Sequence, residues 1–234
     1  MKLFLDSADT ASWRLPPGCP RVQGVTTNPS LIFQAGLQVN LPTYLGLVQA
    51  AGDHGFDDLM LQLPSHDPSQ ALHWLQALRL AAQRAGLRLT IKLPCHADWL
   101  ACILALQSVQ QPFLLTALGS PVQLLWAQQQ GAAYVAPYVG RLAADGRDVW
   151  ALLEACVVVQ NGTTKPGPQP GPQPGPQLLA ASIKSPDVLA RLITMGAAAV
   201  TLPPASLVPW SQDPLTQIAI DQFDRDTVAS KRLN

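Results

Sequence analysis

The 234-residue sequence is poor in charge, in histidine and in cysteine. Charged side chains make up 13%, and 15 Lys+Arg balance 15 Asp+Glu. With no net charge and no basic run, the chain offers no footprint for nucleic acid or an anionic membrane. No apolar run approaches the roughly 18 residues that a bilayer-spanning helix needs. The opening Met1-Lys2-Leu3-Phe4-Leu5-Asp6 meets an acid before a signal peptide's apolar region can form. The four cysteines, Cys19, Cys95, Cys102 and Cys156, share no CxxC spacing. They read as reduced thiols of a cytoplasmic protein. The four histidines lack ligand spacing as well, so no metal is expected. The Asn161-Gly162-Thr163 sequon carries no weight without a secretory signal.

What the chain has is apolar side chains, 48% of the total, enough for a large core and incompatible with general disorder. Eight short apolar runs can be picked out: Leu3–Leu5, Val22–Val25, Leu59–Leu63, Leu89–Leu93, Phe113–Leu115, Tyr134–Ala136, Leu178–Ala181 and Ala198–Leu202. Nearly unbroken runs of this kind are typical of parallel strands covered on both sides. Helix-like segments alternate with them. The clearest is Ser69–Ala85, where Ala71, Trp74, Leu75, Leu78 and Ala82 share a face and Gly86 supplies a stop. Leu100–Ser108, Val122–Gln130, Asp148–Val158 and Pro186–Met195 follow with weaker periodicity. This alternation predicts a single α/β domain over 1–234, a (β/α)8 TIM barrel. The alternative is an open doubly wound sheet, which the missing GxGxxG after the first run disfavours.

From Pro166 to Gln177 the chain repeats Pro-Gly-Pro-Gln three times. Proline removes donors and glycine packs nothing, so a low-complexity loop is expected over 161–177, on the amino-terminal side of the seventh strand. It reads as a tolerated surface insertion or, less simply, a docking segment for a proline-reading partner. A last helix with its tail is expected over 213–234, started by Pro214. Leu215, Ile218, Ala219 and Phe223 give it an apolar stripe that needs a partner surface.

In a barrel, reacting groups stand where the strands end. Polar residues close seven of the eight runs: Asp6; Thr26, Thr27 and Asn28; Gln62; Lys92; Thr116; Tyr138 and Arg141; Ser182 and Lys184. Lys92 is the sharpest signal, because the chain has only five lysines and this one interrupts an apolar strand. Desolvation lowers an amine's pKa, and a neutral amine can attack a carbonyl. The plain alternative is a lysine whose head reaches the rim. Asp6 could be its charge partner. Arg141, Ser182 and Lys184 sit near a helix start, with Ser185 as N-cap and Pro186 at the first position, a setting suited to an anion. His66 and His96 lie just beyond strands. No Ser-His-Asp or Cys-His arrangement can be argued.

Leu5-Asp6-Ser7-Ala8-Asp9 and Gly24-Val25-Thr26-Thr27-Asn28-Pro29-Ser30 resemble the opening of the small transaldolases and fructose-6-phosphate aldolases. Ile91-Lys92-Leu93-Pro94 resembles their lysine strand. Tyr134-Val135-Ala136-Pro137-Tyr138-Val139-Gly140-Arg141, Leu179-Ala180-Ala181-Ser182-Ile183-Lys184 and Thr201-Leu202-Pro203 follow in order. The resemblance implies a class I aldolase mechanism with no cofactor and a phosphorylated sugar as substrate. Lys92 would form the Schiff base and Asp6 would move protons. Gln62, Thr116 and Tyr138 would hold a water. Thr26, Thr27 and Asn28 would line the sugar hydroxyls, while Arg141, Ser182 and Lys184 would hold the phosphate. It also implies a homo-oligomer, a pentamer or decamer, contacted through the last helix.

Within the family resemblance, Gln62, Tyr138 and Ala136 look like the aldolase pattern. Transaldolases usually present Glu, Phe and Ser there. The expected reaction is therefore cleavage of fructose 6-phosphate. Transfer of the dihydroxyacetone unit between sugar phosphates is the alternative, and a non-catalytic sugar-phosphate-binding barrel the rival. Gly119, where the family usually has an aromatic residue, and His96, Asp98 and Trp99 after the lysine strand depart from the pattern.

Overall fold

The computed structural model describes residues 1–162 and 175–231. Eight parallel strands close on themselves in sequence order, with β1 also paired to β8. They are β1 (Lys2–Asp6), β2 (Gly24–Thr26), β3 (Asp58–Gln62), β4 (Arg88–Pro94), β5 (Phe113–Thr116), β6 (Tyr134–Ala136), β7 (Gln177–Ala180) and β8 (Ala199–Leu202). The expected barrel is the observed one, and each apolar run lies within two residues of a strand. The largest shift is at β2, which starts at Gly24 rather than Val22. A Cβ on Gly24 would sit 1.9 Å from the carbonyl oxygen of Asp58, so only glycine lets β2 approach β3 this closely.

The helices are α1 (Pro29–Gln34), α2 (Leu41–Asp53), α3 (Pro68–Arg84), α4 (Leu100–Ser108), α5 (Pro121–Gln129), α6 (Val139–Ala144), α7 (Val149–Asn161), α8 (Pro186–Met195), α9 (Pro204–Trp210) and α10 (Pro214–Ser230). The five helices read from periodicity are α3, α4, α5, α7 and α8. Sequence reading missed α1, α6 and α9, which at six or seven residues are too short for a period to show. It also missed α2, whose signal is present. Asn40 accepts from the Thr43 amide at 3.0 Å, and Tyr44, Leu47, Val48 and Ala51 are buried at helical spacing.

Side chains alternate along each strand, giving two cores. Val25, Leu59, Leu61, Ile91, Leu93, Leu115, Val135, Leu178 and Val200 point outward under the helices. Phe4, Met60, Leu114, Ala136, Leu179 and Ala199 fill the barrel. At the amino end of β3 and β4, Arg88 grips Asp58 with two charge-assisted bonds of 2.8 and 2.7 Å, and the two are backbone register partners.

Of the loop expected over 161–177, residues 163–174 lie outside the described residues. Its two ends are shorter than expected, since Asn161 still belongs to α7 and Gln177 already opens β7. Helix α10 starts at Pro214 as read from sequence, with Asp213 accepting from the Thr216 amide at 3.0 Å. None of its residues is buried, and Leu215, Ile218 and Phe223 are 74%, 61% and 65% exposed. Among the described residues no helix is long and apolar enough to cross a membrane.

Candidate active site

Alternation decides which polar residues meet inside the barrel. Asp6 shares parity with Phe4, Gln62 with Met60 and Thr116 with Leu114, all members of the inner core. Lys92 alternates with the outward Ile91 and Leu93, and Thr26 with the outward Val25. These five therefore point inward at the carboxyl half of adjacent strands. Gln62 and Lys92 are register partners, as are Asp6 and Thr26, and Pro94 and Thr116.

Lys92 is only 4% exposed. Burial pushes its ammonium below the ordinary lysine range, and the Asp6 carboxylate opposes that shift without cancelling it. No salt bridge or side-chain hydrogen bond engages its amine among the described residues. The structure thus holds an amine biased toward its neutral form, beside one carboxylate.

Asp6 is itself held. Thr26 Oγ1 donates to Asp6 Oδ1 at 2.8 Å, and Thr26 and Thr201 Oγ1 atoms lie 2.8 Å apart. A hydroxyl has one hydrogen, so with Thr26 donating to Asp6, Thr201 must donate to Thr26. Thr201, on β8, did not enter the candidate set from sequence. Its signal was weak, a lone hydroxyl inside an apolar strand.

Around the amine, polar atoms stand without partners. Gln62 Oε1 and Thr116 Oγ1 are buried with no hydrogen bond among the described residues. Leaving such an atom unpaired costs about 1–3 kcal/mol, so two on the strands that flank Lys92 mark a surface built for something else to bond. Thr27 Oγ1 and Trp13 Nε1 are also buried and unpartnered among the described residues, with Thr27 on the outward parity of β2. Gln62 is fixed from behind. Tyr44, fully buried on α2, donates to the Gln62 carbonyl oxygen at 2.6 Å and packs edge-on against Trp74 at 5.1 Å. Tyr44 was missed together with its helix.

The barrel mouth opens into a cavity of about 510 Å³ lined by Asp6, Asn28, Tyr138, Arg141, Ser182 and Lys184 among others. Asn28 caps α1 by accepting from the Leu31 amide at 3.1 Å, which leaves its amide hydrogens available. Thr26 and Thr27 are fully buried and do not line this cavity, while Asn28 does. The Arg141 guanidinium lies 4.7 Å from the Tyr138 ring centroid, and no carboxylate pairs with it among the described residues. Ser185 caps α8, accepting from the Val188 amide at 3.3 Å.

Two backbone bonds tie α6 to the β7–α8 loop. The Val139 amide donates to the Ala181 carbonyl and the Gly140 amide to the Ser182 carbonyl, both at 2.9 Å. A Cβ on Gly140 would meet that Ser182 oxygen at 2.6 Å and Lys184 Cγ at 2.8 Å. Ser182 has φ +60, an uncommon conformation for a residue with a side chain, retained where surroundings impose it. Arg141, Ser182 and Lys184 therefore converge because the two loops are locked together.

His66 and His96 do not line the cavity. His96 Nδ1 accepts from the Asp98 amide at 3.3 Å, and His66 packs edge-on against Trp99 at 6.0 Å. Burial holds the Cys95 thiol up at about 11 and Cys156 at about 12, and all four cysteines are free. Among the described residues no three of His, Cys, Asp or Glu gather where a metal ion could be held.

The buried amine should lower stability. Its folded pKa lies below the free value of 10.5, so the unfolded chain binds the proton more readily and wild-type stability rises with pH up to that value. Lys92→Met should raise Tm near neutral pH, at about 2–4 °C per kcal/mol relieved, and the advantage should shrink as pH approaches 10.5. Calorimetric melts across pH check this; a lower Tm for the variant would mean the amine is fully compensated.

Comparison with known proteins agrees with this arrangement. The model of the family described as Transaldolase/Fructose-6-phosphate aldolase matches residues 64–234, well over half of the chain. A protein of Dehalococcoides mccartyi named "Probable transaldolase" is 30% identical over 229 residues, covering 97% of each chain. Proteins of the same name from Clostridium kluyveri and Nitrosopumilus maritimus are each 29% identical, covering 97% of this chain and 97% and 94% of their own. A solved structure titled "Native KDPGal structure" overlays 86% of this chain and 80% of its own at 13% identity and a TM-score of 0.49. The barrel assignment rests instead on the closed strand order of this chain. With its lysine strand, its closed barrel and its near full-length relatives, the chain belongs to the transaldolase/fructose-6-phosphate aldolase family, enzymes of the class I aldolase type.

Proposed function

We propose that the protein is a cytoplasmic Schiff-base aldolase that reversibly cleaves fructose 6-phosphate to dihydroxyacetone and glyceraldehyde 3-phosphate. The observation that carries this reading is the buried Lys92 amine, whose pKa burial pushes down, beside Asp6 and the unpartnered oxygens of Gln62 and Thr116. Lys92 passes a proton to Asp6 as its nitrogen attacks the C2 carbonyl, and a second nitrogen proton moves to the carbinolamine oxygen. That oxygen leaves as water on protonation from Asp6, giving an iminium ion. Asp6, now a carboxylate, takes the C4 hydroxyl proton as the C3–C4 bond breaks. The bond electrons move into the iminium as an enamine, and glyceraldehyde 3-phosphate departs. Protonation at C3 and attack by water on the iminium carbon release dihydroxyacetone and restore the amine.

Arg141 and Ser182, with Lys184, are assigned to the phosphate, and Asn28 to a hydroxyl of the bound three-carbon unit, with Thr26 and Thr27 shaping the wall behind it. Gln62, Thr116 and the Tyr138 hydroxyl are assigned to the water. Gln62 Oε1 accepts one of its hydrogens, Thr116 bonds it from β5 on the other side of the Lys92 strand, and a phenol can donate where a phenyl ring cannot. The second reading, transfer of the three-carbon unit to another sugar phosphate, is favoured by the transaldolase names of the relatives.

Borohydride reduction in the presence of fructose 6-phosphate should fix the three-carbon unit on the peptide carrying Lys92, by mass spectrometry. Lys92→Met should abolish trapping, and Lys184→Met, whose residue is exposed beside the cavity, should mainly raise KM for phosphorylated substrates. An adduct retained in Lys92→Met would refute the assignment.

Wild type should release glyceraldehyde 3-phosphate from fructose 6-phosphate with no acceptor aldose present, and Tyr138→Phe should suppress that cleavage more than transfer. Release that depends on added erythrose 4-phosphate would identify a transaldolase.

A homo-oligomer, as a ring of five or two such rings, is part of this proposal. Its support is the exposed apolar stripe of α10. Light scattering should give a multiple of 25.0 kDa, and truncation after Pro214 should lower it with little loss of far-UV helix signal beyond α10 itself. A 25.0 kDa particle at micromolar concentration would exclude the assembly.

A further inference from the structure

A second cavity, of about 500 Å³, opens beside the first, between the loop after β5 and helix α6. Tyr138 and Arg141 line both cavities, so this stacked pair forms the partition between them. The far side of the second cavity is built from Gly119, Leu142, Asp145 and Arg147. Arg147 is held in place, its Nε donating to Asp145 Oδ2 at 2.7 Å and its Nη1 to the Gly119 carbonyl at 3.2 Å. With two guanidinium groups and one carboxylate, the cavity carries a net positive charge.

The room exists because position 119 has no side chain. A Cβ there would first meet Arg147 Nη1 at 3.3 Å and Leu142 Cδ2 at 3.6 Å, so any larger side chain would occupy the cavity itself. Glycine is not needed for the backbone, since Gly119 lies outside the left-handed φ range. The loop is pinned by main-chain groups that every residue possesses: the Gly119 amide donates to Gln123 Oε1 at 2.8 Å and its carbonyl accepts from Arg147. What the glycine provides is space.

We propose that Gly119 sets the length of aldehyde the enzyme accepts. An aldose phosphate longer than three carbons runs past the Tyr138–Arg141 pair and places its phosphate between Arg141 and Arg147. A three-carbon aldehyde phosphate ends on the other side of Arg141, at Ser182 and Lys184. This rests on the Schiff-base reading of the neighbouring site, because the aldehyde carbon must face the enamine on Lys92.

The test uses Gly119→Leu, the milder Gly119→Ala and Arg147→Gln. Two measurements are made, kinetics with aldehydes of three and five carbons and calorimetric binding of ribose 5-phosphate to the unreacted protein. Gly119→Leu should raise both KM and Kd for ribose 5-phosphate about tenfold or more, while KM for glyceraldehyde 3-phosphate stays within about twofold. Gly119→Ala should fall between the two, since the near end of Arg147 can give way. Arg147→Gln should weaken ribose 5-phosphate but not unphosphorylated ribose. Equal shifts for short and long aldehydes, or no shift in any variant, would overturn the proposal. If borohydride fails to trap a donor on the wild type, the Schiff-base reading falls. The calorimetric pattern then still decides the pocket, and an unchanged Kd in Gly119→Leu and Arg147→Gln rejects it.

Discussion

An amine without a hydrogen-bonding partner inside a barrel wall is the constraint on which the rest of this structure turns. A charged lysine is expelled from apolar surroundings unless something compensates it, and a neutral one sacrifices its hydration. Among the described residues the barrel offers Lys92 only partial compensation, the Asp6 carboxylate and no direct ion pair. That incomplete compensation makes the ammonium easier to deprotonate than an ordinary lysine's. A better salt bridge at this point would make a more stable and chemically inert protein.

The surroundings of Lys92 show how the fold sustains that compromise. Asp6 is turned by a relay of hydroxyls that begins on β8 and crosses β2. A phenol from the helical layer holds the main-chain carbonyl of Gln62, which fixes the end of β3 from which its side chain points inward. The groups at the mouth depend on loops rather than strands, and those loops are rigid where they matter. Ser182 keeps its left-handed backbone while the amide of Gly140 holds its carbonyl. The inward groups thus stand on strands, and those at the mouth on elements tied to one another by main-chain bonds.

Much of this was legible in the sequence. Eight apolar runs with polar terminal residues gave the barrel and most of the residues that line its carboxyl end, because parallel strands buried on both faces leave few places where a polar residue is tolerated. Lys92 was conspicuous for that reason. What stayed hidden has a physical explanation. Thr201 works through a partner 175 positions away, and its one local mark, a lone hydroxyl in an apolar strand, says nothing of that partner. Tyr44 reads as an ordinary core aromatic until its hydroxyl is seen against the end of β3. Thr26 and Thr27, adjacent in sequence, sit on opposite strand parities, so proximity in the motif did not translate into a shared role. Gly119 was noticeable as a departure, but the room it creates exists only once α6 has folded against the same loop.

The bidentate grip of Arg88 on Asp58 lies at the far end of the strands from the amine, yet it bears on which way that amine points. The two residues are register partners, and four residues further along the same pair of strands the partners are Gln62 and Lys92. Strand side chains alternate, so a slip of one residue between β3 and β4 would turn Lys92 out among the helices and Ile91 into the reaction chamber. Apolar side chains line both faces of these strands, which makes hydrophobicity a poor judge of that slip. The ion pair works instead as a key cut for one alignment, so a contact of modest worth to stability acquires leverage over which side of the wall holds the amine.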